Sequence, residues 1–122
     1  MEAVYETPHG PMKCYPNYLV FKLKGDGISE PAAHEIMSYA YRHYDRRKFV
    51  FISNREFASN IDPKAYTAIN PKVMVGLAIV SQEDEVRQEA TSEQQLFEGS
   101  FSYFKTVDEA KDWANTVVKI ER

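Results

Sequence analysis

Few side chains in this sequence could carry chemistry, and their spacing settles most of what they can do. The three histidines are the first candidates for a metal site or a general base. His34 and His43 lie nine residues apart on one amphipathic segment. At about 100° per residue that spacing turns them to opposite flanks, so they cannot share a metal ion. His9 belongs to a Thr7-Pro8-His9-Gly10-Pro11 turn with no Cys or Asp at ligand spacing. Cys14 is the only cysteine. No intramolecular disulfide can form, and a reducing compartment is expected. Its neighbours Lys13, Tyr15 and Pro16 read as a strand end, which makes the thiol a bystander rather than a nucleophile. No Gly-x-Ser-x-Gly elbow occurs. Gly25-Asp26-Gly27 is half of a dinucleotide fingerprint, without the third glycine or a buried first strand before it, and reads as a turn. The expectation is a chain with no metal, no cofactor and no catalytic motif.

Two polar groupings remain. Arg42, His43, Arg46, Arg47 and Lys48 form the one basic cluster. They can complement the negative end of a helix dipole, or form a small anion or acidic-partner patch built on Arg42, Arg46 and Arg47. Tyr39, Tyr41 and Tyr44 lie beside them, but no RNA-binding motif accompanies these aromatics. The formal net charge of -3 gives no long-range pull on phosphate backbones, so nucleic acid is not an expected partner. The second grouping is the polar segment Ser53 to Asp62, whose Asn54, Arg55, Ser59, Asn60 and Asp62 form a candidate partner or ligand loop. It follows an apolar run and precedes a helix start, and in open α/β sheets ligands gather outside the carboxyl ends of parallel strands. An ordinary capped connection, with Asn and Ser side chains satisfying their own backbone, fits the same residues.

The surrounding elements follow from periodicity. Leu19, Phe21 and Leu23 alternate with Val20, Lys22 and Lys24, a strand with one wet side, and residues 11–15 and 3–7 add antiparallel strands before it. Ser29 caps a helix over about residues 30–44, with Pro31 in its first turn and Ala33, Ile36, Met37, Ala40 and Tyr44 on one stripe. Phe49-Val50-Phe51-Ile52 and Val73 to Val80 are unbroken apolar runs of the kind covered on both faces in parallel sheets, and Gly76 implies a bulge or a close backbone approach. Asp62-Pro63 starts a short helix over 63–69, and Ser81 caps an acidic-started helix running to about Phe97. After a short strand at Phe101 to Phe104, Thr106 and Glu109 form a capping box for a last helix anchored by Trp113.

This order requires right-handed crossovers between parallel strands. The expected fold is α/β: one mixed sheet with parallel central strands, an antiparallel edge and helices packed mainly on one face. At 122 residues it makes a single domain. The first residues carry no basic stretch or apolar run of a signal peptide, and no stretch approaches the length of a membrane span, so a cytoplasmic protein is expected. An edge strand near residues 11–24 could pair with its copy to give a homodimer, with Lys13, Lys22 and Lys24 positioned to discourage it.

The strand Lys48 to Ile52 followed by Ser53-Asn54-Arg55, the run Val73 to Val80, the strand Phe101 to Phe104 and the segment Thr106-Val107-Asp108-Glu109-Ala110-Lys111-Asp112-Trp113-Ala114 together resemble the SpoIIAA-like branch of the STAS domains. The resemblance spans roughly residues 11–118 and rests on core pattern and caps. It implies a fold shared with anti-sigma-factor antagonists and, more distantly, with CRAL-TRIO lipid-transfer proteins, and a bacterial regulatory or small-ligand module. In the antagonists a phosphorylatable serine follows the buried strand. Ser59 is its counterpart by position, but Ala58-Ser59-Asn60-Ile61 lacks the rest of that motif. The leading expectation is a non-enzymatic module that meets a protein or small ligand through the loop after the central strand. The alternatives are a carrier of a small lipid or apolar ligand, with Tyr39, Tyr41, Phe57 and Tyr66 lining a cavity, and an enzyme assembled in space around His34 and Asp62.

Overall fold

The two unbroken apolar runs need cover on both faces, and the fold supplies it. The computed structural model describes residues 1–56 and 60–121, residue 60 by its backbone alone. In chain order the elements are β1 (Ala3–Thr7), β2 (Gly10–Cys14), β3 (Tyr18–Lys22), β4 (Gly27–Ile28), α1 (Glu30–Tyr44), β5 (Phe49–Asn54), β6 (Asn60–Ile61), a 3₁₀ turn Pro63–Ala68, β7 (Met74–Val80), α2 (Asp84–Ala90), a second 3₁₀ turn Thr91–Leu96, β8 (Ser100–Phe104) and α3 (Val107–Glu121). Six strands form one sheet in the order β1-β2-β3-β5-β7-β8. β1, β2 and β3 are antiparallel, whereas β3, β5, β7 and β8 run parallel. The mixed sheet with parallel centre and antiparallel edge is as expected.

Most helical segments cover one face, where Ile36, Met37, Ala40 and Tyr44 of α1 and Ala90 of α2 pack on Phe49, Phe51, Leu77 and Ile79. α3 alone covers the other, its Ala110, Ala114, Val117 and Val118 against Val50, Ile52, Ala78 and Val80. The ends of α1 are set by chemistry visible in the sequence: the Ser29 hydroxyl accepts from the Ala32 N–H, and Pro31 sits in the first turn. At its other end Tyr44 is fully buried, stacks on Phe49 at 4.4 Å and directs its hydroxyl at the carbonyls of Tyr15 and Tyr18. That contact pins the helix to the turn between β2 and β3. Half of the capping box of α3 forms: the Glu109 N–H donates to the Thr106 hydroxyl, while the Glu109 carboxylate accepts from that hydroxyl rather than from the Thr106 backbone N–H.

Several details depart from expectation. Residues 11–24 do not form a free edge, because β1 pairs along β2 and β3 lies between β2 and β5; the edges are β1 and β8, so that segment offers no open strand for a copy to pair with. Gly27 and Ile28 are more than a turn, pairing with Asn60 and Ile61 in a small parallel ladder. The helix expected from Ser81 to Phe97 begins later, at Asp84, and ends at Ala90, giving way to a 3₁₀ turn. The Ser81 hydroxyl accepts from the Glu83 N–H and shapes the approach to α2 rather than capping it. No helix among the described residues is long and apolar enough to cross a membrane.

Gly76 satisfies both readings of its sequence position. The register against β5 slips between Phe49 and Val50, leaving Val75 as the extra residue of a bulge. A Cβ on Gly76 would stand 2.9 Å from Val50 Cγ2 and 3.3 Å from Val117 Cγ1. Gly76→Val is therefore expected to overpack the seam between β7 and α3 and cost about 1–3 kcal/mol. A urea melt reads this directly, and an unchanged midpoint would contradict the close approach.

Candidate functional site

Side chains alternate along β5, and the alternation continues past its end. Phe51, Ser53 and Arg55 all face the space beneath α1, while Asn54 faces a cleft at the sheet's carboxyl rim. The Arg55 N–H donates to the Val80 carbonyl at 2.8 Å, which carries the ladder one residue beyond β5 and fixes the side chain's direction. Arg55 is 5% exposed and so turns inward from the loop that was expected to present it to a ligand.

Its guanidinium meets Glu93, itself 7% exposed. Arg55 Nη1 donates to Glu93 Oε2 at 2.6 Å and Nη2 to Oε1 at 3.0 Å, a bidentate pair, while Nε donates to the Ser53 hydroxyl at 3.1 Å. The Tyr66 hydroxyl donates to Glu93 Oε1 at 2.5 Å. Burial, reinforced by the adjacent Glu93 charge, pushes the Tyr66 hydroxyl far above the ordinary tyrosine range, so it remains a proton donor. This network joins the end of β5 to both 3₁₀ turns. Glu93 was not singled out from the sequence, although a signal was present: Val86, Ala90, Glu93 and Phe97 fall at helical spacing, and all four are buried.

Below the network lies an apolar cavity of about 60 Å³ lined by Ile36, Met37, Phe51, Tyr66, Met74 and Leu77 among others. Drug-sized ligands occupy roughly 300–1,000 Å³, so this space fits a few water-sized groups and not a lipid chain. Tyr66 contributes to it as expected. Tyr39 and Tyr41 do not: Tyr39 packs on Tyr5, and the Tyr41 hydroxyl donates to the Ala68 carbonyl. Phe57 lies outside the described residues.

On the other side of Arg55 a polar cleft of about 440 Å³ opens at the carboxyl ends of the parallel strands. Its lining includes Lys22, Asn54, Glu56, Ser81, Glu83 and Lys105. Of the remaining candidate loop residues, Asp62 lies away from the cleft. Asp62 accepts from the Lys64 N–H as the cap of the first 3₁₀ turn and borders a separate shallow groove with His9, Asp26 and Ser29. Asn60 joins the small ladder through its backbone, and Ser59 lies outside the described residues. His34 is exposed on α1, and no hydrogen bond joins it to Asp62 among the described residues. The Cys14 thiol is buried, and that burial pushes it up to about 11, away from nucleophilic use. No group of three or more His, Cys, Asp and Glu able to hold a metal ion occurs among the described residues.

The basic patch is already engaged, and by the chain itself. Arg47 Nη1 and Nη2 donate to the two carboxylate oxygens of Glu2 at 3.2 and 3.0 Å, and His43 Nε2 lies 2.8 Å from Oε1. Arg42 instead donates to the Ser38 carbonyl and stands over the Tyr39 ring. Arg46 follows Asp45 in left-handed backbone, with φ of 74°. Of the three arginines, Arg47 is therefore held by an internal carboxylate, and Arg42 is turned to Ser38 and Tyr39. The hydrogen bonds from Arg47 and His43 hold the Glu2 carboxyl at about 2, against an ordinary 4.5. Because the folded value is depressed, the tether is complete above pH 4.5 and is lost as pH falls through about 2. In a carboxyl-detected NMR titration Glu2 is expected to titrate near 2, and Arg47→Ala to move it most of the way back. A wild-type value near 4.5 would dissolve the tether.

The chain matches no family model. No curated protein matches it either. Among solved structures it is similar to an uncharacterized protein of the DUF3478 family with a SpoIIAA-like fold, from Shewanella loihica PV-4. The match has a TM-score of 0.57 at 13% sequence identity and covers 92% of this chain and 90% of that one. Identity at that level speaks for architecture and not for activity. With the parallel centre, antiparallel edge and helices described above, it establishes that this chain has a SpoIIAA-like α/β fold.

Proposed function

We propose that the chain is a regulatory or binding module without catalysis of its own, which receives a protein segment or a small polar ligand in the cleft at its carboxyl rim. The observation that supports this reading is the cleft itself. It is about 440 Å³, within the size range of ligand sites, and lies outside the carboxyl ends of parallel strands beside the start of α3. Its charges balance: Lys22 and Lys105 oppose Glu56 and Glu83, while Arg55 is neutralised by Glu93. A lining of this kind suits a peptide or a zwitterionic ligand, which brings both signs, better than a polyanion. The carboxylates, ammonium groups and amide that line the cleft suit hydrogen bonding and charge pairing with such a ligand. The apolar-carrier reading draws on the cavity beneath α1, whose 60 Å³ would have to expand severalfold to admit an acyl chain.

The two readings separate in an amide NMR titration with three probes: a Lys-Glu dipeptide, inorganic phosphate and decanoate. The dipeptide is expected to shift amides at residues 54–56, 80–83 and 105–107, with phosphate producing smaller effects. Shifts confined to Ile36, Met37, Phe51, Met74 and Leu77 on adding decanoate would replace the binding module with the carrier.

A further inference from the structure

The sheet ends on β8, and this edge lacks the usual protections. Natural sheets guard an edge with charge, proline, a bulge or a covering segment. β8 reads Ser100-Phe101-Ser102-Tyr103-Phe104, with no charge, no proline and an unbroken register against β7. Every one of its residues is partly exposed.

The backbone shows which groups are free. The Ser81 N–H donates to the Phe104 carbonyl, so Phe104 directs its backbone groups at β7, and by alternation so do Ser102 and Ser100. The N–H and C=O of Phe101 and Tyr103 therefore point away from the sheet. Among the described residues no group bonds to them.

From this pattern we infer that β8 pairs antiparallel with β8 of a second copy, about a two-fold axis at Ser102, joining two six-stranded sheets into one. Three features of the strand fit that occupant. An axis at Ser102 sets Phe101 opposite Tyr103 of the other copy, and these are the residues with outward backbone groups, so they exchange both N–H···O bonds as a hydrogen-bonded pair requires. The same register extends the aromatic cluster of Phe97, Phe101 and Tyr103 across the axis, where Phe101 and Tyr103 already meet at 5.3 Å within one chain. Finally, the strand is flanked by Glu98 at its start and Lys105 at its end, both exposed. Antiparallel pairing brings the acidic end of one copy to the basic end of the other, whereas parallel pairing would set like charges side by side. A closed two-fold contact of this kind uses up the edge and stops at two chains.

Ser102 provides the test, because the axis sets it opposite its own copy in the close, non-hydrogen-bonded position. Wild-type protein is expected to sediment as a dimer at about 100 µM. Ser102→Lys and Ser102→Glu should each sediment as monomers with unchanged far-ultraviolet circular dichroism, and mixing the two in equal amounts should restore a dimer. A wild type monomeric at that concentration overturns the proposal. So does a dimer that survives Ser102→Lys, or a pair of folded variants that fail to recombine.

Discussion

The buried pair of Arg55 and Glu93 is the interaction on which the candidate site depends. Placing two full charges in a protein interior costs several kcal/mol per ion, recovered only if geometry is good and the remaining polar atoms find partners. Here both conditions hold, through a bidentate contact with Ser53 on the arginine and Tyr66 on the carboxylate. Such a pair adds little net stability relative to well-packed apolar side chains. Its effect is to specify arrangement: Arg55 meets Glu93, and Glu93 in turn meets Tyr66, only if both 3₁₀ turns sit over the end of β5. The two 3₁₀ turns are thereby located by a strong polar contact in that part of the core.

The rim above follows from that placement. Parallel strands β3, β5, β7 and β8 end together, and the crossovers bring the starts of α2 and α3 to the same side. With Arg55 drawn inward, Asn54 and Glu56 are left to face the cleft with Lys22 and Lys105. The buried pair thus separates a small apolar cavity from a larger polar cleft, and Arg55 borders both. The fold shared with the Shewanella loihica protein supplies the frame.

Much of this frame was legible in the sequence, because the segments concerned state one preference at every level. β5 and β7 are continuous apolar runs, α1 joins a cap to a clean stripe, and α3 opens with its capping box. The second half of the segment after Ser81 was not legible as a break. It has no glycine or proline there; instead the Thr91 and Ser92 hydroxyls donate to the carbonyls of Gln88 and Glu89, competing with the helix and tightening it to 3₁₀. The ladder of β4 and β6 is too short to show a period. The inward turn of Arg55 could have been read from the alternation of Phe51, Ser53 and Arg55, but its partner lies 38 residues away and no local pattern joins them. The tie between Glu2 and Arg47, across 45 residues, escaped for the same reason, and one member of the cationic patch was half of a pair.

A double-mutant cycle on Arg55 and Glu93, followed by urea unfolding, tests this account most directly. Arg55→Met or Glu93→Met alone leaves an uncompensated buried charge and is predicted to cost about 3–5 kcal/mol, while the double variant returns most of that loss. Single variants within about 0.5 kcal/mol of wild type, or losses that simply add, would show that the pair does not hold the rim together.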